Sequence, residues 1–255
     1  MMRVVLLTQD EPLFLVPSIE YLLSRKPDQV EVAGCVVFDP SPLGKKAGTV
    51  GRARELLRVF GPAYFLHYGA KFAAARLKPS RRLSTVLRRF AVPELRLKQN
   101  VNAPESLAPI RALQPDLLIS VAANQIFRRA LIEIAPKGCL NLHSALLPKY
   151  RGLMPTFWVL KNGEKETGVS VFLVDEGIDS GPIVVQKRVP IETNSLEELI
   201  RRTKVVGMDA VWEAVEKIAS RKSTLIPNPE SEKTYFSFPT KADVRAFRAA
   251  GKRLY

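Results

Sequence analysis

Four runs rich in β-branched and aliphatic residues, spaced by stretches of helical periodicity, restrict what this chain can fold into. Residues 3–7 and Val30–Phe38 suit buried parallel strands, and Leu117–Val121 and 138–143 continue the strand series. A helical pattern fills 12–24, and Pro104 with Glu105 after Asn102 opens a second helix. Residues 127–134 separate the third strand from the fourth, and 169–174 and 183–189 supply two more. Strands alternating with helices predict an α/β fold built on a Rossmann-like twisted, mostly parallel sheet, with chemistry at the strand ends.

The interval 40–92 is longer than one crossover helix needs. It carries helical patterns at 51–60, 63–77 and 81–90 and is expected to be a helical insertion. Of the net charge of +14, residues 44–89 hold twelve Lys or Arg against one acid, Glu55, a local excess of +11. Such an excess favours a negatively charged partner: a nucleotide, RNA or an anionic membrane face. Phe60, Tyr64, Phe65, Tyr68 and Phe72 lie among these cations, and an aromatic stripe of this kind is expected to rest on the core. Ser195 with Glu198 forms a capping-box pattern ahead of a long amphipathic helix. The chain is thus divided into a catalytic domain at 1–190, carrying the insertion at about 40–92, and a closing helix with a small C-terminal cap at 191–255.

Cys35 and Cys139 lie far apart in apolar runs and read as buried free thiols. No stretch reaches the roughly 20 apolar residues that span a bilayer, and the first residues are too short an apolar run for a signal peptide. The expected location is cytoplasmic, peripheral to the membrane if the insertion engages lipid.

Asn141 and His143 stand two apart at the end of the fourth run, so a strand projects both side chains from one face. Asp179 sits in a Gly-Ile-Asp-Ser-Gly turn after the run at 169–174, and a neighbouring parallel strand is expected to deliver it to the same sheet edge. An amide, an imidazole and a carboxylate together can serve attack on a carbonyl. The amide donates to the developing oxyanion, the imidazole stabilises oxygen or moves a proton, and the carboxylate orients the ring. His67, the other histidine, has no carboxylate near it in sequence and receives no role.

The stretch Asn141-x-His143, then Leu146-Leu147-Pro148 and Gly152, then Gly177-x-Asp179-x-Gly181 resembles the formyltransferase family that uses 10-formyltetrahydrofolate. Where that family usually has Ser before Leu-Leu-Pro, this chain has Ala145, with Ser144 one residue earlier. The resemblance implies the formyltransferase fold, Asn141, His143 and Asp179 as catalytic residues, 10-formyltetrahydrofolate as formyl donor, and no metal. It continues back through 115–143 and implies that Asn124, Gln125, Ile126 and Phe127 wall the pterin opposite Val174, Asp175, Glu176, Gly177, Ile178 and Ser180. Leu146, Leu147 and Pro148 join the same pocket.

For the acceptor, Thr8-Gln9-Asp10-Glu11-Pro12 replaces the Gly-rich loop with which glycinamide ribonucleotide enzymes hold a phosphate, and two acids with a proline make a poor anion cradle. Residues 38–46 and the segment at 149–155 resemble the catalytic domain of methionyl-tRNA formyltransferase, whereas the chain length resembles sugar N-formyltransferases. The reading favoured from sequence is a small anionic amine, most readily an amino-sugar nucleotide, held near Arg151. An aminoacyl-tRNA acceptor is the alternative, and a folate-, RNA- or membrane-binding member without turnover is the third.

Overall fold

The two apolar faces expected of the buried strands are visible residue by residue in the first of them. In the computed structural model, which describes residues 1–38, 49–97, 100–220 and 224–255, Val4 and Leu6 point into one core layer and Val5 and Leu7 into another. This strand, β1 (Met2–Gln9), pairs in parallel with β2 (Val30–Phe38) on one side and β4 (Leu117–Val121) on the other. Beyond them lie β3 (Glu94–Arg96), a short strand that periodicity does not announce, and β5 (Cys139–His143), both also parallel. The sheet has seven strands in the order β3-β2-β1-β4-β5-β7-β8, its last two being β7 (Glu166–Leu173) and β8 (Ile183–Pro190). A separate two-stranded pairing joins β6 (Arg151–Gly152) to β9 (Tyr235–Phe236).

Helices cover both faces. Helix α1 (Leu15–Ser24), α4 (Leu83–Arg89) and α8 (Leu196–Ala219) contribute to one layer, and α5 (Pro104–Ala112) and α6 (Arg129–Ile132) to the other. The insertion supplies α2 (Thr49–Phe60), α3 (Pro62–Leu77) and α4, close to the three helical patterns read from sequence. A third cluster joins Val59 and Phe60 of α2 to α7 (Pro155–Lys161), the start of α8 and α9 (Lys241–Ala249).

The aromatic stripe of α3 faces inward. Tyr64 and Tyr68 stack with centroids 5.7 Å apart, Tyr68 and Phe72 at 6.2 Å, and Tyr64 also meets Tyr255. Ser195 caps α8 by accepting from the Glu198 N–H at 3.3 Å, but the Glu198 carboxylate accepts from Thr193 Oγ1 instead of the Ser195 N–H, so only half of the expected box forms.

Candidate active site

One expectation needs correction. Asp179 does not come from a parallel strand: β7 runs antiparallel to both β5 and β8. Register places Ser170 opposite His143 and Leu173 opposite Leu140, so β7 leaves the sheet beside the start of β5, and the connection at 174–182 folds back along β5 to return Asp179 to His143. The loop is braced from within, since the Asp175 carboxylate accepts from the Gly177 N–H at 3.0 Å and from Ser180 Oγ at 2.5 Å. Gly181 is required here, because a Cβ would lie 1.7 Å from the Leu173 carbonyl oxygen.

His143 is buried and its ring is held from both sides. Nε2 lies 2.7 Å from the Tyr150 carbonyl oxygen, which can only accept, so Nε2 carries a proton. Nδ1 faces Asp179 Oδ2 at 3.4 Å. The same Oδ2 accepts the Gly152 N–H at 2.8 Å, and Gly152 itself needs glycine: its φ is +96° and a Cβ would meet the Phe236 carbonyl oxygen at 2.3 Å. Asn141 lies two residues before His143 on β5, half-buried, and its amide bonds to no described residue. The arrangement therefore has a committed imidazole nitrogen, an uncommitted one facing a carboxylate, and an amide free to donate.

Residues from the C-terminal segment complete the site, which sequence reading missed. Asn228 Nδ2 donates to the carbonyls of both Asp179 and Gly181 at 2.9 Å. Its Oδ1 accepts from Arg151 Nη2, also at 2.9 Å. Thr234 and Phe236 accept from the Arg151 and Leu153 N–H groups at 2.9 and 2.8 Å, so the segment clasps the strand bearing Gly152. The expected small cap is thus part of the site wall.

Arg151 is 3% exposed, and its guanidinium is committed to Glu230 and Asn228. Lys233 and then Arg151 hold the Glu230 carboxyl below the usual range. The cation assigned to the acceptor is thus buried in an internal network.

The three segments assigned to the folate meet around Val174, which packs against the cluster containing Phe127 and against the cluster of Leu147, Phe172 and Ile183. Phe127 is buried, whereas Ile126 is 71% exposed and Ile178 50% exposed, two large apolar side chains left facing solvent on separate loops. The backbone of 124–127 is fixed from α5's side: Asn102 bonds the Ile126 carbonyl and the Arg128 N–H, and Gln125 accepts from the Val101 N–H. Leu147 donates to Ser170 Oγ at 3.1 Å, and its carbonyl accepts from Gln186 at 2.9 Å. An open groove of about 400 Å³ runs along Val174, Asp175, Glu176 and Gly177 against Arg129, Ile132 and Glu133; the other residues assigned to the folate, Asn124, Gln125, Ile126, Phe127, Leu146, Leu147, Pro148, Ile178 and Ser180, do not line it. Leu146 packs instead against Gly168, where a Cβ would lie 2.3 Å from Leu146 Cδ2.

At the end of β1 the acids are used internally. Glu11 accepts the N–H groups of Leu13, Phe14 and Leu15 at 2.8 to 3.0 Å, and Asp10 pairs with Arg76 and accepts the Leu83 N–H. The start of α1 is therefore closed to an anion by the chain's own carboxylate. Among the described residues, no cluster of three or more His, Cys, Asp or Glu is placed to hold a metal, and no helix is long and apolar enough to cross a membrane.

Residues 2–215 match the profile of the family described as formyl transferase, and the chain belongs to that family. Among sequence relatives, the methionyl-tRNA formyltransferase of Kosmotoga olearia is 38% identical over 159 residues, covering 62% of this chain and 51% of the relative. The chain spans about half the length of the curated relatives it matches. Among solved structures, phosphoribosylglycinamide formyltransferase from Anaplasma phagocytophilum superposes with a TM-score of 0.62 at 17% identity, over 93% of this chain and 99% of its own. The N-formyltransferase of Helicobacter canadensis, solved with folinic acid and dTDP-3-aminofucose, gives a TM-score of 0.55 at 18% identity, over 93% and 71%. These likenesses establish the fold: the α/β formyltransferase architecture.

Proposed function

We propose that this chain transfers the formyl group of 10-formyltetrahydrofolate to a primary amine, with His143, Asn141 and Asp179 as its reacting centre. The observation that carries the reading is the ring of His143, fixed by the Tyr150 carbonyl on one side and facing Asp179 on the other, two residues from an uncommitted amide. The amine nitrogen attacks the formyl carbon, the amide of Asn141 donates to the oxygen as charge gathers there, and the bond to N10 breaks to leave tetrahydrofolate and a formamide. The proton lost by the amine reaches N10 by way of His143 Nδ1, with Asp179 facing the charge held on the ring meanwhile. Exposed Ile126 and Ile178 fit the apolar faces of a pterin, and the braced loop at 174–180 offers backbone groups to its edge.

For the acceptor we favour an aminoacyl-tRNA over the amino-sugar nucleotide that sequence alone suggests. Two observations support that change: a relative named for a tRNA substrate shares 38% identity over 62% of this chain, and Arg151, the cation assigned to a small anionic acceptor, is committed to Glu230 and Asn228. Labelled 10-formyltetrahydrofolate offered with methionyl-tRNA or with a panel of amino-sugar nucleotides separates the two. Label on the aminoacyl-tRNA alone supports this reading; label on a sugar nucleotide alone restores the other. Label on neither, with folate still bound, supports a member without turnover.

A further inference from the structure

Helix α3 is turned the wrong way for a surface helix. Its aromatic residues and its charges, Lys71 paired with Glu197 and Arg76 paired with Asp10, face the protein, and every exposed position along it is Pro, Gly, Ala or Leu. Ala63, Leu66, Ala70, Ala73 and Leu77 recur at helical spacing, so the exposed positions form one continuous apolar arc. Leu66 is 68% exposed and Leu77 80% exposed, and Leu57 of α2, joined to α3 through Gly61, is 42% exposed. Scattered leucines on a surface need no account, but an uncharged arc along a sixteen-residue helix does.

Cations lie on both sides of this arc in sequence. Arg54 on α2, Lys78 directly after α3, then Arg82 and Arg88 are exposed and form no ion pair among the described residues. Arg58 has only a 3.9 Å contact with Glu55, the single acid in the segment. That charge decides between occupants. A second copy of the chain would bring the same cations against the first. An RNA would satisfy the guanidinium groups and leave the leucines wet.

We infer that α3 docks on an anionic lipid surface, its apolar arc entering the boundary between headgroups and acyl chains while the flanking cations meet lipid phosphates. No described helix is both long and apolar enough to cross a bilayer, and this docking lies along the lipid surface. It is independent of the acceptor, and none of its residues touches the His143 centre.

Co-sedimentation of the whole chain with vesicles tests it. The protein should pellet with vesicles containing phosphatidylglycerol and stay in solution with phosphatidylcholine alone. Leu66→Gln with Leu77→Gln should lower partitioning roughly tenfold, and Lys78→Gln or Arg82→Gln roughly fivefold each, the latter in a salt-dependent manner. Circular dichroism and thermal melting check that each variant is folded, which exposed positions should permit. The inference is overturned by no pelleting, by equal pelleting with neutral vesicles, or by undiminished pelleting of the double leucine variant. It is equally overturned if the leucine changes leave vesicle binding intact and abolish a dimer in sedimentation velocity or retention of RNA on a filter.

Discussion

Asp179 Oδ2 serves His143 and the backbone at once: it stands 3.4 Å from Nδ1 of the ring and accepts the Gly152 N–H at 2.8 Å. An acceptor oxygen shared in this way separates position from charge. Asp179→Asn keeps the side chain's shape and a carbonyl oxygen for Gly152 while removing the negative charge. Turnover should fall by roughly 10²- to 10⁴-fold with the KM for folate little changed. A rise in KM at constant kcat would instead assign Asp179 to binding.

Asn228 is a positioning residue, because its amide holds the carbonyls of Asp179 and Gly181 together at 2.9 Å. Asn228→Ala should lower kcat by about tenfold and stability by about 1–3 kcal/mol, from the hydrogen bonds left unmade. The kinetic split distinguishes this from a merely structural loss: kcat should fall in folded protein below its melting temperature while folate affinity holds.

The folate reading rests on Ile126 and Ile178, whose side chains are available to a ligand, more than on Phe127, which is buried in a core cluster. Phe127→Asp would damage the fold. Ile126→Asp and Ile178→Asp place a charge where an apolar face is required without disturbing the core, and each should weaken folate binding roughly tenfold by calorimetry. Unchanged affinity in both variants would move the folate elsewhere.

Lys204 on α8 gives a pH-dependent expectation of opposite sign to a paired lysine. Desolvation pushes its ammonium down to about 8, offset in part by the Glu11 carboxylate. The folded value lies below the unfolded one, so folding opposes the charged form: the penalty is full below about 8 and fades as pH rises toward the ordinary lysine value of 10.5. The side chain is half-buried, so solvent reduces the effect. Lys204→Met should stabilise the protein at neutral pH by roughly 1 kcal/mol, seen as a higher Tm, and the gain should shrink above pH 9.

Much of this was legible in the sequence because it rests on local periodicity. The buried strands follow from short continuous apolar runs, the three insertion helices from helical periodicity, and the shared face of Asn141 and His143 from strand alternation. The direction of β7 does not, since an apolar run reads the same for either pairing, and only the register of Ser170 against His143 reveals the antiparallel arrangement. Nor could spacing disclose the partners of Arg151. Its contacts with Asn228 and Glu230 span more than seventy residues and arise from how the C-terminal segment closes on β6. The half-formed cap at Ser195 shows the same limit, because Thr193 competes for the Glu198 carboxylate that the motif assigns to the backbone. The basic loop at 38–46 that resembles that of a tRNA-acting enzyme lies, apart from Phe38, outside the described residues, as does the side chain of Arg52.

The most direct measurement is single-turnover formyl transfer by His143→Ala, followed with labelled 10-formyltetrahydrofolate and a competent amine acceptor. Calorimetry on the same preparation reports whether folate still binds. If His143 carries the proton between the amine and N10, the variant should bind folate with an affinity close to that of the parent chain and transfer formyl roughly 10²- to 10⁴-fold more slowly. Transfer at the parent rate by the folded, folate-binding variant would contradict the assignment of the reaction to this centre.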